Sequence, residues 1–172
     1  MGSVKVEEWI YKPGLPEDAP EPQSDRFAEV DKQVKKFKAG GAADKLDTAG
    51  WTSHEWLHFV RALPVELEKQ RLVELDKAFG FTQTGNSEVL MAWLLQAIKH
   101  SYEPAYPKLE HFLVNTGRRK FLTPLYGELI KTEEGQKRAF AIYEMARPNY
   151  HFVATNTIDE MLDWKETSQT KK

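Results

Sequence analysis

Two groups of residues in this chain have types and spacing that could do chemistry. The first is Gly117-Arg118-Arg119-Lys120-Phe121-Leu122-Thr123-Pro124-Leu125. Arg118 and Lys120 stand two positions apart. On a helix that spacing sends them to different sides; on an extended or bent path it sends them the same way. A Gly before and a Pro after favour such a connection. The two cations can then converge on one anion, and a carboxylate suits the guanidinium fork. The competing reading is a solvated basic turn with no ligand.

The second group is His54-Glu55-Trp56-Leu57-His58. On a helix, His54 and His58 lie one turn apart and can share a zinc, with Glu55 as general base. A catalytic zinc wants a third protein ligand. Where one class of zinc peptidases has an acidic third ligand, this chain has Lys77. Where another has a Gly and a third His, it has Arg61 and Pro64. Glu55 also has a structural role open to it, as the reciprocal member of a capping box with Thr52. The motif is therefore read as part of an ordinary helix. His100, His111 and His151 show no ligand spacing. Glu7-Glu8 and Glu133-Glu134 read as solvated helix ends. No Gly-rich phosphate loop or Ser or Cys nucleophile signature is present.

These residues need elements to position them, and the patterning is helical. Ser24 or Asp25 can cap a helix to about Lys38, with Phe27, Val30, Val34 and Phe37 on one face. Gly40-Gly41 ends it. Thr52 with Glu55 opens a helix to about Leu63. Pro64 suits the first turn of the next, Val65 to Phe79, with Leu67, Leu72, Leu75 and Phe79 inward and Gly80 as terminator. Asn86 or Ser87 caps an apolar helix through Val89, Leu90, Trp93, Leu94, Ala97 and Ile98. Tyr106-Pro107 opens another, ending near Gly117. Phe121 to Lys131, Glu133 to Ala146 and Thr157 to about Trp164 complete the set, the last with a possible Thr157/Glu160 box.

No segment alternates as a strand would. The expected fold is all-α, with antiparallel helix pairs stacked side by side into an armadillo- or HEAT-like superhelix of degenerate repeats. Aromatic residues, 12% of the chain, fall mainly on the inner stripes and read as core. Four prolines between Pro13 and Pro22 make a stiff linker. Large apolar residues, Trp9, Ile10 and Tyr11, precede it. The expected organisation is a linker over 1–23 from an upstream region, a helical domain over 24–166 and a frayed tail over 167–172.

With 172 residues the chain is one domain long. A net charge of -2 argues against nucleic acid or an anionic membrane as partner. The absence of cysteine excludes disulfides and thiolate metal sites, and fits a reducing, cytoplasmic setting. No run of 18 apolar residues offers a membrane span, and Met1 to Ile10 lacks the apolar core of a secretory signal.

Three segments together carry a resemblance: Trp9-Ile-Tyr-Lys-Pro-Gly-Leu-Pro16, Asn86-Ser-Glu88 ahead of a Trp-containing helix, and Gly117-Arg-Arg-Lys-Phe-Leu-Thr-Pro-Leu125. The chain resembles the C-terminal domain of leukotriene A4 hydrolase and its relatives, zinc aminopeptidases of the gluzincin type, from Trp9 to about Leu162. The resemblance implies an all-helical domain that follows the catalytic region, packs against it and closes one side of the active-site cleft. It implies that Arg118 and Lys120 bind the free carboxylate of a peptide substrate, with Arg119 unassigned. Leu122-Thr123-Pro124 departs from the more polar run often seen there. It further implies that zinc and the true HExxH belong to the upstream catalytic domain of the same polypeptide. This chain would then hold no cofactor and be inactive alone. Two other readings are a free-standing helical scaffold for a protein partner and a minimal metallohydrolase built on His54, Glu55 and His58.

Overall fold

The computed structural model describes residues 25–165, together with Tyr11, Pro13 and Gly14. Eight α-helices are present among them: α1 Arg26–Lys38, α2 Ser53–Arg61, α3 Lys69–Phe79, α4 Ser87–Lys99, α5 Tyr106–Asn115, α6 Arg119–Leu129, α7 Glu133–Ala146 and α8 Phe152–Leu162. No strand occurs among the described residues. Among the described residues no helix is long and apolar enough to cross a membrane.

The helices form two rows. α2 packs on α4, α4 on α6 and α6 on α8, while α5 packs on α7 in the second row. Side-chain contacts give the directions. Asn86 Nδ2 donates to Ser53 Oγ at 2.8 Å, and Gln96 Nε2 donates to the Val60 carbonyl at 3.1 Å. Both ends of α2 therefore lie beside the matching ends of α4, and the two run parallel. Glu88 and Lys120 join the starts of α4 and α6. Near the helix ends, the Met161 methyl of α8 packs over Gly127 of α6. The starts of α2, α4, α6 and α8 thus line one edge of the molecule. Short turns send the intervening helices back the other way. This is the stacked helix-pair superhelix that the periodicity predicts.

The core lies between the rows. Trp93, Tyr126, Tyr143, Phe37 and Phe59 are its largest fully buried side chains. Their polar atoms are matched. Trp93 Nε1 donates to Thr82 Oγ1, which in turn donates to Asp76; Tyr102 donates to the same Asp76. Burial, with Asp76 close by, pushes the Tyr102 hydroxyl up to about 12. Tyr150 donates to the Leu113 carbonyl and meets the Tyr126 hydroxyl. Aromatic residues are core here, as the stripes predict.

Several boundaries differ from the sequence expectation. α3 begins at Lys69, not near Pro64, and Val65 is 90% exposed. The segment before α3 is committed elsewhere. His100 Nε2 lies 3.0 Å from the Val65 carbonyl. Within the first turn of α3, Arg71 donates to the Phe37 and Gly41 carbonyls and covers the Phe37 ring. α8 begins at Phe152 behind a His151 cap, so Thr157 is mid-helix and donates to the Val153 carbonyl. The Thr157/Glu160 capping box does not form. Phe27 is 45% exposed and stacks on His58 instead of joining Val30, Val34 and Phe37 in the core. Trp9, Ile10, Ser24, most of the proline-rich stretch and Ser168 to Lys172 lie outside the described residues.

Candidate functional site

The candidate anion-binding pair straddles a helix start: the Arg118 backbone is extended, whereas Lys120 is helical. Arg118 is the N-cap of α6, with φ -81° and ψ 109°, and Arg119 and Lys120 open the first turn. The Arg118 carbonyl accepts from Phe121 N–H at 2.8 Å and Leu122 N–H at 3.2 Å. Pro124 sits inside the helix and removes the N–H that would bond to the Lys120 carbonyl. A cationic first turn also opposes the helix dipole. Both features disguise this helix start in the sequence.

Arg118 and Lys120 nevertheless share a neighbourhood. The Arg118 guanidinium lies 5.3 Å from the Phe121 ring centroid and Lys120 Nζ lies 5.7 Å from it. Phe121 itself is buried, so one ring anchors both side chains while their heads stay exposed. Both stand at the N-terminal end of α6, where free backbone N–H groups add positive potential. Among the described residues no carboxylate is within ion-pairing distance of the Arg118 guanidinium. Arg119 is exposed on the same turn.

Lys120 is not free in this way. Its Nζ lies 2.5 Å from Glu88 Oε1, across from the start of α4. Asn86 caps that helix, its side-chain oxygen accepting from the Glu88 and Val89 N–H groups. This fixes the backbone that carries Glu88. The Lys120 hydrogen bond and charge, with Arg118 and Arg61 at longer range, hold the Glu88 carboxyl below the usual carboxylate range against a partial desolvation that raises it. Glu88 stands in the Asn86-Ser-Glu88 segment of the resemblance, but nothing in local spacing pairs it with a residue as far along the chain as Lys120.

The residues of the HExxH-like segment are engaged in structural contacts. Thr52 caps α2 with its side chain on His54 N–H, and Glu55 reaches back to the Thr52 N–H at 2.8 Å and to its hydroxyl. The buried Glu55 also pairs with Arg26 at 2.5 Å. The Thr52 hydroxyl bond, outweighing burial, holds its carboxyl below the usual range. His58 Nε2 lies 2.8 Å from Asp31 of α1, and the His58 ring stacks on Phe27. His58 is thus engaged by Asp31 of α1, and Glu55 by the Thr52 cap and Arg26. Among the described residues no group of three or more His, Asp or Glu could hold a metal.

A family model described as "Leukotriene A4 hydrolase, C-terminal" matches residues 51–162. The chain belongs to the leukotriene A4 hydrolase C-terminal family. Curated relatives of this family member include leucine aminopeptidase 2 of Neurospora crassa, 26% identical over 99% of this chain and 26% of that protein. A leukotriene A-4 hydrolase homolog of Botryotinia fuckeliana is 26% identical over 94% of this chain and 25% of that one. Native yeast LTA4 hydrolase shares the fold, with a TM-score of 0.67 at 21% identity over 94% of this chain and 29% of that chain. The chain thus spans about a quarter of the length of the curated relatives it matches. The matched region takes in α2 to α8, and with them Arg118, Lys120 and Glu88.

Proposed function

We propose that this chain is the C-terminal domain of a zinc aminopeptidase of the leukotriene A4 hydrolase type, and that Arg118 and Lys120 anchor the free carboxylate of its peptide substrate. The observation that carries the reading is the exposed Arg118 guanidinium. It stands without a carboxylate partner among the described residues, beside Lys120 and at a helix N-terminus. A carboxylate there could take two parallel bonds from Arg118 and a third from Lys120.

In this proposal residues 1–23 link the domain to an upstream catalytic region of the same polypeptide, 24–166 form the helical domain and 167–172 are a tail. The enzyme works in the cytoplasm. The edge carrying the starts of α2, α4, α6 and α8 faces the cleft and walls one side of it. Zinc, held upstream, would activate the water that cleaves the peptide bond. The task of this chain is to bind the far end of the peptide. Energy gained at that remote carboxylate orients the scissile bond.

The test uses the full-length polypeptide and short peptides differing only at the C-terminus. Amidation removes the anion and should lower kcat/KM. Equal turnover of free-acid and amidated peptides would remove the carboxylate anchor from consideration.

A further inference from the structure

Phe121 is the residue on which the two cations of the candidate anchor meet. The Arg118 guanidinium lies over its ring at 5.3 Å from the centroid, and Lys120 Nζ at 5.7 Å. Both fall inside the reach of about 6 Å over which a ring face attracts a cation. The ring itself is fixed. It is 4% exposed, it packs on Phe112 of α5 with centroids 5.8 Å apart, and the Phe121 N–H donates to the Arg118 carbonyl at 2.8 Å. Lys120 has a second hold in Glu88. Arg118 has no such carboxylate among the described residues, so its fork depends more on the ring. A long cationic side chain gives up rotamer freedom when it grips a ligand, and one ordered beforehand gives up less.

We propose that Phe121 is a positioning residue for the carboxylate anchor: the π face of its core-fixed ring orders Arg118 and Lys120 before the substrate's terminal carboxylate arrives. The inference rests on the carboxylate anchor proposed above. Phe121 touches no substrate in this scheme and acts through the two cations. Its contribution is electrostatic, from the negative face of the ring, and is separable from the core space the side chain fills. Fluorine on the ring drains that face while nearly keeping its shape. Leucine fills core space and has no such face.

The experiment measures kcat/KM of the full-length polypeptide for one tripeptide as free acid and as amide, and reads the acid-to-amide ratio. Phe121 is replaced in turn by mono-, di- and trifluorophenylalanine, and separately by leucine. Each cation–π contact at an exposed site is worth roughly two- to fivefold, so the ratio should fall stepwise along the series, to roughly three- to tenfold below wild type for the trifluoro ring. Phe121→Leu should lose at least as much of the ratio. Should Phe121→Leu fail to fold, the fluorinated series carries the test alone. A ratio that stays level or rises along the series, with free acids still favoured in wild type, overturns the role of Phe121 and leaves the anchor standing. Equal losses on acid and amide would assign the ring to packing only and also overturn it. If wild type treats acid and amide alike, the anchor fails and this inference fails with it.

Discussion

Glu55 and Thr52 hold each other: the Glu55 carboxylate accepts from the Thr52 N–H at 2.8 Å and from its hydroxyl, while Thr52 Oγ1 accepts from His54 N–H. A residue that would be the general base of a zinc peptidase is thus half of a capping box, and its other oxygen is taken by Arg26 at 2.5 Å. The expected outcome is that the chain retains no stoichiometric zinc after dialysis. Elemental analysis checks this. One zinc per chain, lost in His54→Ala and His58→Ala, would restore the metallohydrolase reading. Thr52→Ala should instead cost stability, about 0.5–2 kcal/mol by loss of the cap, seen as a lower midpoint in urea.

Much of this fold can be read from local pattern because its signals are local. The Asn86 cap, the Thr52/Glu55 box, the Gly80 stop at φ +65° and the span of α7 all lie where spacing predicts. The misread boundaries have tertiary causes. Nothing near Val65 in sequence announces that His100 meets its carbonyl, or that Arg71 is committed to the Phe37 and Gly41 carbonyls. The candidate site follows the same rule. Arg118 and Lys120 are legible as a cation pair. Their helix is not, because Pro124 and a basic first turn both oppose it locally. Sites that break local rules are where a fold carries its function.

Asp159 should make stability fall on the acid side. Arg147 holds it by two bonds of 2.9 Å, and Tyr143 donates to it at 2.5 Å. The Arg147 bonds, ahead of a smaller opposing desolvation, keep its carboxyl below the usual range. A carboxyl lowered in the folded state adds stability that is fully present above the unfolded-state value of about 3.9. That stability is lost as pH falls through the folded value. Asp159→Asn should cost about 1–3 kcal/mol at neutral pH. It should also flatten the acid limb of a stability-pH curve measured by urea melts. A variant curve parallel to wild type below pH 4 would show that the pairing carries no acid dependence.

Gly135 offers a prediction whose sign opposes helix propensity. It lies in the first turn of α7 and donates its N–H to the Thr132 cap at 3.0 Å. A Cβ added there would press into the Leu129 carbonyl and the Thr132 hydroxyl. Ala is the better helix former by about 1 kcal/mol. Overpacking against backbone costs about 1–3 kcal/mol. Gly135→Ala should therefore lower the melting temperature despite its better propensity. A higher melting temperature would show that the α6–α7 turn yields freely.

Arg118 should matter most of the three basic residues at the start of α6. It has no carboxylate partner among the described residues, whereas Lys120 already spends one donor on Glu88. Its planar fork can also meet a carboxylate with two bonds at once. Losing a charge-assisted contact costs about 1.5–3 kcal/mol. In the full-length polypeptide, Arg118→Ala should then lower kcat/KM for free-acid peptides by roughly ten- to a hundredfold. Lys120→Ala should do less, and Arg119→Ala little. The amidated peptide separates anchoring from architecture. It lacks the anion, so both Arg118→Ala and Lys120→Ala should leave its poor turnover nearly unchanged. Arg118 also packs over Phe121, which lies in the core. Equal losses on free-acid and amidated peptides would therefore make it a prop for α6, and the substrate carboxylate would have to be held elsewhere.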